Sequence, residues 1–520
     1  MTGRKHIKSG LYLSYFYLLL NFTINLVLTP LILRYLGQSV YGLWAIFSSS
    51  IGYFMIFDLG MNVSVAKYTS EYLALGNLKG LSKLVSSIVM AFIFLSFFGV
   101  ALCFTLLPLL PKIFNIPQNL RLAGQLTFMI LAINVALSFF KGVYLNIFYG
   151  CQRVDVYKIF SAIHLLITSI LIGAFLKLGY NIIGLAMAAA LGSAVTFIGV
   201  LLYFRHCRFG IAISFKSASF QELKKIASYS IRNFALQLTS VILYKTDIIV
   251  IGIFLNSTQA APYDIAYKLV FYATYLFSEI SSVLFPKFSK LYALDSITSL
   301  KNLALSITKI SVAIAVPVII SFSFFGRHFI NLWVGAENFV GQNVFGIFII
   351  MYLMHGLGAP PFLLLQAIGK NRGTTISEII RAFLNIVLSI ILVQKMGVFG
   401  VALGTLLANL LTSFWFIPWS ACKKIQLSVK TYILAGVLPP LLIGIPISAI
   451  TWFFIKDILP NSNFLFLVTK GVLVALIYFP FYFIFCTPAE RQLYVSMLPL
   501  KWPNKNIVFP DTNEGMTKNI

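Results

Sequence analysis

A chain of 520 residues with 59% hydrophobic and 10% charged side chains, and a mean hydropathy of +0.92, cannot cover a water-facing surface; soluble domains carry about 25% charge. The net charge of +25 would suit nucleic acid, but the Lys and Arg residues lie in short loops between long apolar runs, which excludes that partner and places the chain in a bilayer. Lipid admits only helices or closed barrels, and unbroken apolar runs of ~20 residues are helical, unlike the ~10-residue alternation of barrel strands.

In chain order, spans are expected near 11–33 and 41–64, 84–108 and 124–146, then 157–177 and 181–204. The longest polar interruption in the body of the chain, 205–225, separates these from spans near 228–255 and 261–285, 304–325 and 342–366, 376–395 and 398–420. A last pair near 431–455 and 464–487 precedes a polar tail. The first run is too long for a signal-peptide core and has no small-residue cleavage site, so it reads as the first span. The predicted fold class is therefore all-α integral membrane, with about fourteen transmembrane helices. Its predicted parts are an N-terminal lobe 1–206, a cytoplasmic linker 207–227, a C-terminal lobe 228–422, a helix pair 423–488 and a cytoplasmic tail 489–520.

With the N-terminus inside, the inner loops collect most of the basic residues, among them Lys5, Lys67, Lys83, Arg205, Lys224, Lys287, Lys370 and Lys423. The outer loops hold few, such as Arg34, Lys112 and Lys177. The positive-inside rule then predicts an inner (plasma) membrane protein with both termini cytoplasmic. Cys103, Cys151, Cys207, Cys422 and Cys486 are scattered without a CxxC pair, and read as reduced thiols, not disulfides or metal ligands.

The chain repeats itself at an offset near 219. AKYTSEYLAL from Ala66 matches PKFSKLYAL from Pro286, IFYGCQR ending at Arg153 matches QAIGKNR ending at Arg372, and the turn near Gly184 matches the one near Gly400. The matches fall in loops, at polar and glycine positions, so they are not the generic likeness of two apolar helices. An offset of six helices keeps both halves in one orientation, which predicts parallel-repeat six-helix lobes about a central site.

Ionisable groups inside spans cost at least ~2.5–3.5 kcal/mol, so each needs a reason. The candidates are Lys245 and Asp247 in span seven, with Arg232 near its inner end; Asp264, Lys268 and Glu279 in span eight; Asp58 in span two; and Arg34 closing span one. Lys158, His164 and Arg381 sit in the inner halves of spans five and eleven. Two readings stand side by side. These groups pair within the bundle and lock helices, with Asp264 and Lys268 one turn apart on one face. Alternatively, Arg34, Arg232, Lys245 and Lys268 face a wet gap between lobes and offer positive potential to an anion. Asp58, Asp247, Asp264 and Glu279 are the candidate charge partners or coupling sites for Na+ or H+; no other cofactor is expected.

The fragments LTPLILRYLGQSVYGLWAIF, DLGMNVSVAKYTSEY and TDIIVIGIFL resemble the polysaccharide repeat-unit flippases (O-antigen and capsule exporters) of the multidrug/oligosaccharidyl-lipid/polysaccharide superfamily. The resemblance implies a V-shaped pair of six-helix lobes whose spans one, two, seven and eight line the cavity, and two further helices. It implies a partner as well, an undecaprenyl-pyrophosphate-linked oligosaccharide moved from the inner to the outer leaflet, with membrane lipid around it and a polysaccharide polymerase and chain-length machinery downstream. A lipid II-type peptidoglycan precursor flippase and a cation-coupled multidrug antiporter of the same superfamily are the alternatives. No paired DxD, HExxH, P-loop or GxSxG motif occurs, and the outer loops are short, so no enzyme is expected.

Overall fold

The structure, a computed structural model, describes residues 2–207, 209–458, 460–488 and 490–491, with side chains for all of these except 2–11, 232, 276, 278–283 and 286. Among the described residues every regular element is helical. The N-terminal half comprises α1 (Thr2–Phe54), α2 (Met61–Ala74), α3 (Leu78–Leu106), α4 (Arg121–Gly150), α5 (Val154–Lys177) and α6 (Asn181–Cys207). The C-terminal half comprises α7 (Phe220–Phe254), α8 (Ser257–Ala293), α9 (Ile297–Val334), α10 (Gln342–Ala367), α11 (Arg372–Leu411) and α12 (Ser413–Lys424). A terminal pair follows, with α13 (Leu438–Ile450) flanked by π-helical turns and α14 (Phe464–Ile484), and it packs on α9.

Among the described residues, eleven helical stretches are long and apolar enough to cross a membrane. Two of them, Tyr12–Ala74 and Arg372–Lys424, run to 63 and 53 residues, far beyond the ~20 that one crossing needs. Each is broken by a glycine in a conformation that other residues rarely adopt: Gly37 at φ 74° in α1 and Gly397 at φ 58° in α11. Beyond Gly397 the helix folds back on itself. Asn385 Nδ2 donates to Thr405 Oγ1 at 2.6 Å, Ser389 Oγ donates to the Val401 carbonyl at 3.4 Å, and Gly400 abuts the Leu392 carbonyl. As one residue number rises its partner's falls, which is the signature of an antiparallel hairpin. The expected fourteen crossings require both long stretches to cross twice and α8 to cross once. The Gly397 hairpin supplies one of these doublings. The expected second span, 41–64, is interrupted at its inner end, where the turn Met55–Asp58 and the left-handed pair Leu59 and Gly60 separate α1 from α2.

Elsewhere helices begin at side-chain caps. Asn77 accepts from the Gly80 amide at the start of α3, and Asn256 accepts from the Gln259 amide at the start of α8. Asn256 lies 219 residues after Gly37, so the two halves make the same turn with different chemistry. The repeat also reappears as contacts. Ser70 Oγ donates to the carbonyl of Gly150 at the end of α4, and Ser289 Oγ donates to that of Ala367 at the end of α10. Gly184 and Gly192 seat α6 against Phe175 and Thr168 of α5, as Gly400 and Gly404 do within α11.

The halves meet along an antiparallel seam, and again where α1 before Gly37 packs on α8 and α9, with Phe22 against Tyr272 and Trp333 Nε1 donating to the Leu26 carbonyl. Going down the seam, Gly42 faces Ser257, Ile46 faces Gly252, Gly52 faces Lys245, Ser64 Oγ lies 2.7 Å from Ser230 Oγ, and the Tyr72 hydroxyl donates to Glu222 at 3.3 Å. The upper end of this seam is the turn end, near Gly37 and Asn256. The lower end is the face on which most basic residues gather. At Gly42 the approach is so close that a β-carbon would collide with the Ser257 carbonyl. Gly42→Ala is therefore expected to destabilise by about 1–3 kcal/mol, whereas Gly346→Ala, which meets open space in a helix, should be neutral or mildly stabilising. Thermal unfolding of the detergent-solubilised variants checks this; equal shifts for the two would contradict the close seam.

All five cysteines are free thiols. The predicted tail lies outside the described residues beyond Arg491. At its root Lys309 Nζ pairs with Glu490 Oε1 at 2.6 Å, tying the end of the terminal pair to α9. Burial pushes the Glu490 carboxyl up, but Lys309 and the Thr487 amide outweigh it and hold it below the usual glutamate range.

Candidate functional site

The charges expected inside spans gather in three places. The first is the seam near its turn end. Asp264 and Lys268 of α8 form an ion pair at 2.5 Å, and the Tyr41 hydroxyl of α1 donates to the same carboxylate oxygen at 2.9 Å. Lys268 also reaches the Tyr41 hydroxyl at 3.3 Å. Asp264 and Tyr41 are buried, while the Lys268 side chain is 35% exposed. Helix spacing puts the carboxylate and ammonium on one face, and Tyr41 brings the other half of the molecule onto them. This is the pairing geometry of the helix-locking reading.

Lys245 lies on the same seam and differs. Its stem runs along Gly52, it is half-buried, and among the described residues its ammonium has neither hydrogen bond nor ion pair, Asp264 and Lys268 being the charges within electrostatic reach. Beside it, Thr246 and Tyr53 share a 2.5 Å hydrogen bond across the seam. A half-buried amine without a partner is costly unless water or an anion reaches it. Arg34 is exposed at the turn end, three residues before Gly37. The side chains of Arg232 and Glu279 lie outside the described residues.

The second place is the break between α1 and α2. Asp58 is buried there and accepts from the Asn62 amide at 2.9 Å, closing the first turn of α2. That is a capping role, and it accounts for the acid without a bound ion.

The third is the interior of the C-terminal half. Asp247 is buried, and among the described residues every group bonded to it is neutral. Tyr263 donates from its hydroxyl at 2.6 Å, Thr405 from its hydroxyl at 2.8 Å, and Asn385 from Nδ2 at 3.3 Å. Asn385 is fully buried, yet its Oδ1 has no hydrogen-bond partner among the described residues. A carboxylate in such a place needs a proton or a cation, because isolated buried charge is prohibitive. The carbonyl of Val401, one turn before Thr405, faces the same hairpin.

Sequence reasoning singled out Asp247 but missed its neutral ring. Asn385 and Ser389, one helical turn apart in an apolar span, were the available signal. Tyr41 and Tyr263 gave none, since tyrosines are common in membrane helices. A cavity of about 580 Å³ also opens inside the C-terminal half, with Tyr244, Tyr352, His355, Arg381 and Thr405 in its wall. Arg34, Lys245 and Lys268 do not line it.

Two solved structures share this architecture. Lipid II flippase MurJ in an inward closed conformation superposes with a TM-score of 0.72 at 18% identity, covering 93% of this chain and 99% of that one. An inward-facing multidrug resistance MATE family transporter of the MOP superfamily gives 0.65 at 16% identity, covering 79% and 94%. The fold is thus the one that these two membrane proteins share. A family model described as polysaccharide biosynthesis protein matches residues 7–292, over half of the chain, and the chain belongs to that family. Among its relatives, the uncharacterized membrane protein EpsK of Bacillus subtilis is 21% identical over 493 residues, 91% of this chain and 94% of its own. The putative O-antigen transporter of Shigella flexneri is 22% identical over 386 residues, 71% and 87% of the two chains. The probable low-salt glycan biosynthesis flippase Agl15 of Haloferax volcanii is 23% identical over 238 residues, 44% and 50%.

The Lys268–Asp264–Tyr41 cluster makes a measurable claim. Removing one member of a buried pair strands the other. Lys268→Met should therefore lower thermal stability more than the double variant Lys268→Met/Asp264→Asn, with the difference read in detergent by thermal unfolding. Additive losses would mean that the pair is screened by water and holds nothing together.

Proposed function

We propose that this protein is a flippase that moves a lipid-linked oligosaccharide with a phosphate-bearing head group across the plasma membrane, outward from the leaflet on its basic face. The observation that carries this reading is Lys245, an amine without a partner among the described residues, on the seam between two like-oriented halves. The relatives named as glycan flippase and O-antigen transporter support the substrate class. The positive-inside rule makes the basic face, and with it both termini, cytoplasmic.

A pyrophosphate linkage carries about two negative charges, which bare hydrocarbon would exclude. An ammonium fixed beside water lowers that barrier as a point charge. The prenyl tail stays in lipid, and only the head group needs the path between the halves. Opening of the halves at one end and then the other moves the head group without a continuous pore. A membrane potential negative inside favours outward movement of an anion by ~2.3 kcal/mol per charge per 100 mV. Resetting the empty carrier is the step that a cation can drive, and Asp247 is the group suited to bind it, as Na+ or as a proton.

In cells that depend on the chain for a surface glycan, Lys245→Ala is expected to reach the membrane at normal levels and to lower surface polymer tenfold or more. Lys245→Arg should restore most of it. The double variant Lys245→Ala/Lys268→Ala should abolish polymer; wild-type amounts from it would remove the cationic path. Loss of viability with cell-wall collapse on deletion would favour the peptidoglycan-precursor reading, and lost drug resistance the antiporter reading. Asp247→Asn should leave head-group binding in place while removing the dependence of transport on a Na+ or proton gradient, measured in proteoliposomes.

A further inference from the structure

The cavity inside the C-terminal half is unexplained by a lipid path along the seam. It is lined by α7, α8, α10, α11 and α12, and its volume of about 580 Å³ would hold on the order of twenty waters at ~30 Å³ each. Aromatic rings build much of the wall, Tyr244 and Tyr267 packing on Phe271 with centroids 5.1 and 5.6 Å apart. Between them stand polar groups that water would satisfy. The Tyr352 hydroxyl and the Arg381 Nε are buried without a hydrogen-bond partner among the described residues. His355 is exposed, although it belongs to a helix in the middle of the half.

The two ends of the cavity give its direction. At one end is Thr405, whose hydroxyl donates to Asp247 at 2.8 Å. At the other are Gln366, next to the last residue of α10, and Ile417, within α12. Lys370, Arg372, Lys423 and Lys424 follow within a few residues of these, so this end lies at the basic face. Along the wall Arg381 is held by Glu378 at 2.5 Å and reaches Asn409 Oδ1 at 3.4 Å. Glu378 thereby offsets Arg381, the one Lys or Arg among the described lining residues.

We infer that this cavity is a hydrated vestibule through which the cation at Asp247 exchanges with the cytoplasm, on a route separate from the seam used by the lipid head group. The inference rests on the cation reading of Asp247 given above. A neutralised Arg381 is what such a route needs, since a bare guanidinium in a narrow, partly apolar passage would repel an entering cation. Separate routes also let anion and cation move in opposite senses without meeting in one gap.

Gly358 lines the cavity, and a β-carbon there meets open space. In a background with the five native cysteines replaced by serine, Gly358→Cys should react with a membrane-impermeant methanethiosulfonate reagent in inverted vesicles and not in intact cells. Reaction from the outer face only, or from neither face, overturns the vestibule whichever cation is used. In proteoliposomes, Gly358→Phe should slow exchange of 22Na+, or proton uptake read by a trapped pH dye, tenfold or more while leaving equilibrium cation binding unchanged. Glu378→Gln, which frees the Arg381 charge, should slow exchange several-fold, and Glu378→Gln/Arg381→Gln should recover it. Wild-type exchange in Gly358→Phe sinks the vestibule alone. Unaltered cation binding in Asp247→Asn sinks the cation reading, and this inference with it.

Discussion

An ionised side chain inside a lipid-solvated helical bundle must find a counter-charge, a set of oriented dipoles or water. The interior of this protein is organised by how each of its few charges meets that demand. Asp264 takes a counter-charge, Lys268, and a tyrosine from the opposite half. Asp58 takes the first turn of a helix. Asp247 takes a ring of hydroxyls and an amide that leaves it one charge short. Lys245 takes nothing among the described residues. The first two are settled within the fold; the last two call for something that arrives from outside it, and they differ in sign.

The sign difference maps onto the repeat. Both halves share a helix plan, a turn near position 37 or 256, and a serine that ties the basic-face end of a helix to its neighbour. Asp247 and Lys245 both belong to the second half. Asp247 and Lys245 are two residues apart on α7 and so point to different sides of that helix, one into the half and one towards the seam. A single helix therefore separates the anionic interior of the half from the cationic seam.

Much of this was legible in the sequence. Charge scarcity dictated lipid as solvent, and apolar run length dictated helices. Loop glycines and basic residues gave the repeat, because turns tolerate fewer substitutions than apolar faces do. The charged positions were visible individually. Their partners were not, since Tyr41 and Asp264 lie 223 residues apart and meet only when the halves pack. The expected second span read through Asp58 as continuous apolar helix, whereas Leu59 and Gly60 adopt left-handed conformations and end it. Hydropathy averages over such a break and cannot register two residues. The cavity was invisible for a related reason: its aromatic wall looks, residue by residue, like ordinary helix packing.

Gly42 touches the backbone of Ser257 with no side chain between them, close to the turn that ends each first span. A joint of bare backbone has nothing to repack when it rotates, so it can serve as a fulcrum while longer side chains elsewhere on the seam part. The lever beneath it is about as long as the bilayer core, ~30 Å. A swing of ~10° about such a point displaces the far end by ~5 Å over that ~30 Å. The hydrogen bond between Ser64 and Ser230 lies towards that far end. It spans 2.7 Å and would not survive that displacement, so a small rotation at one glycine would break a contact at the opposite end of the seam.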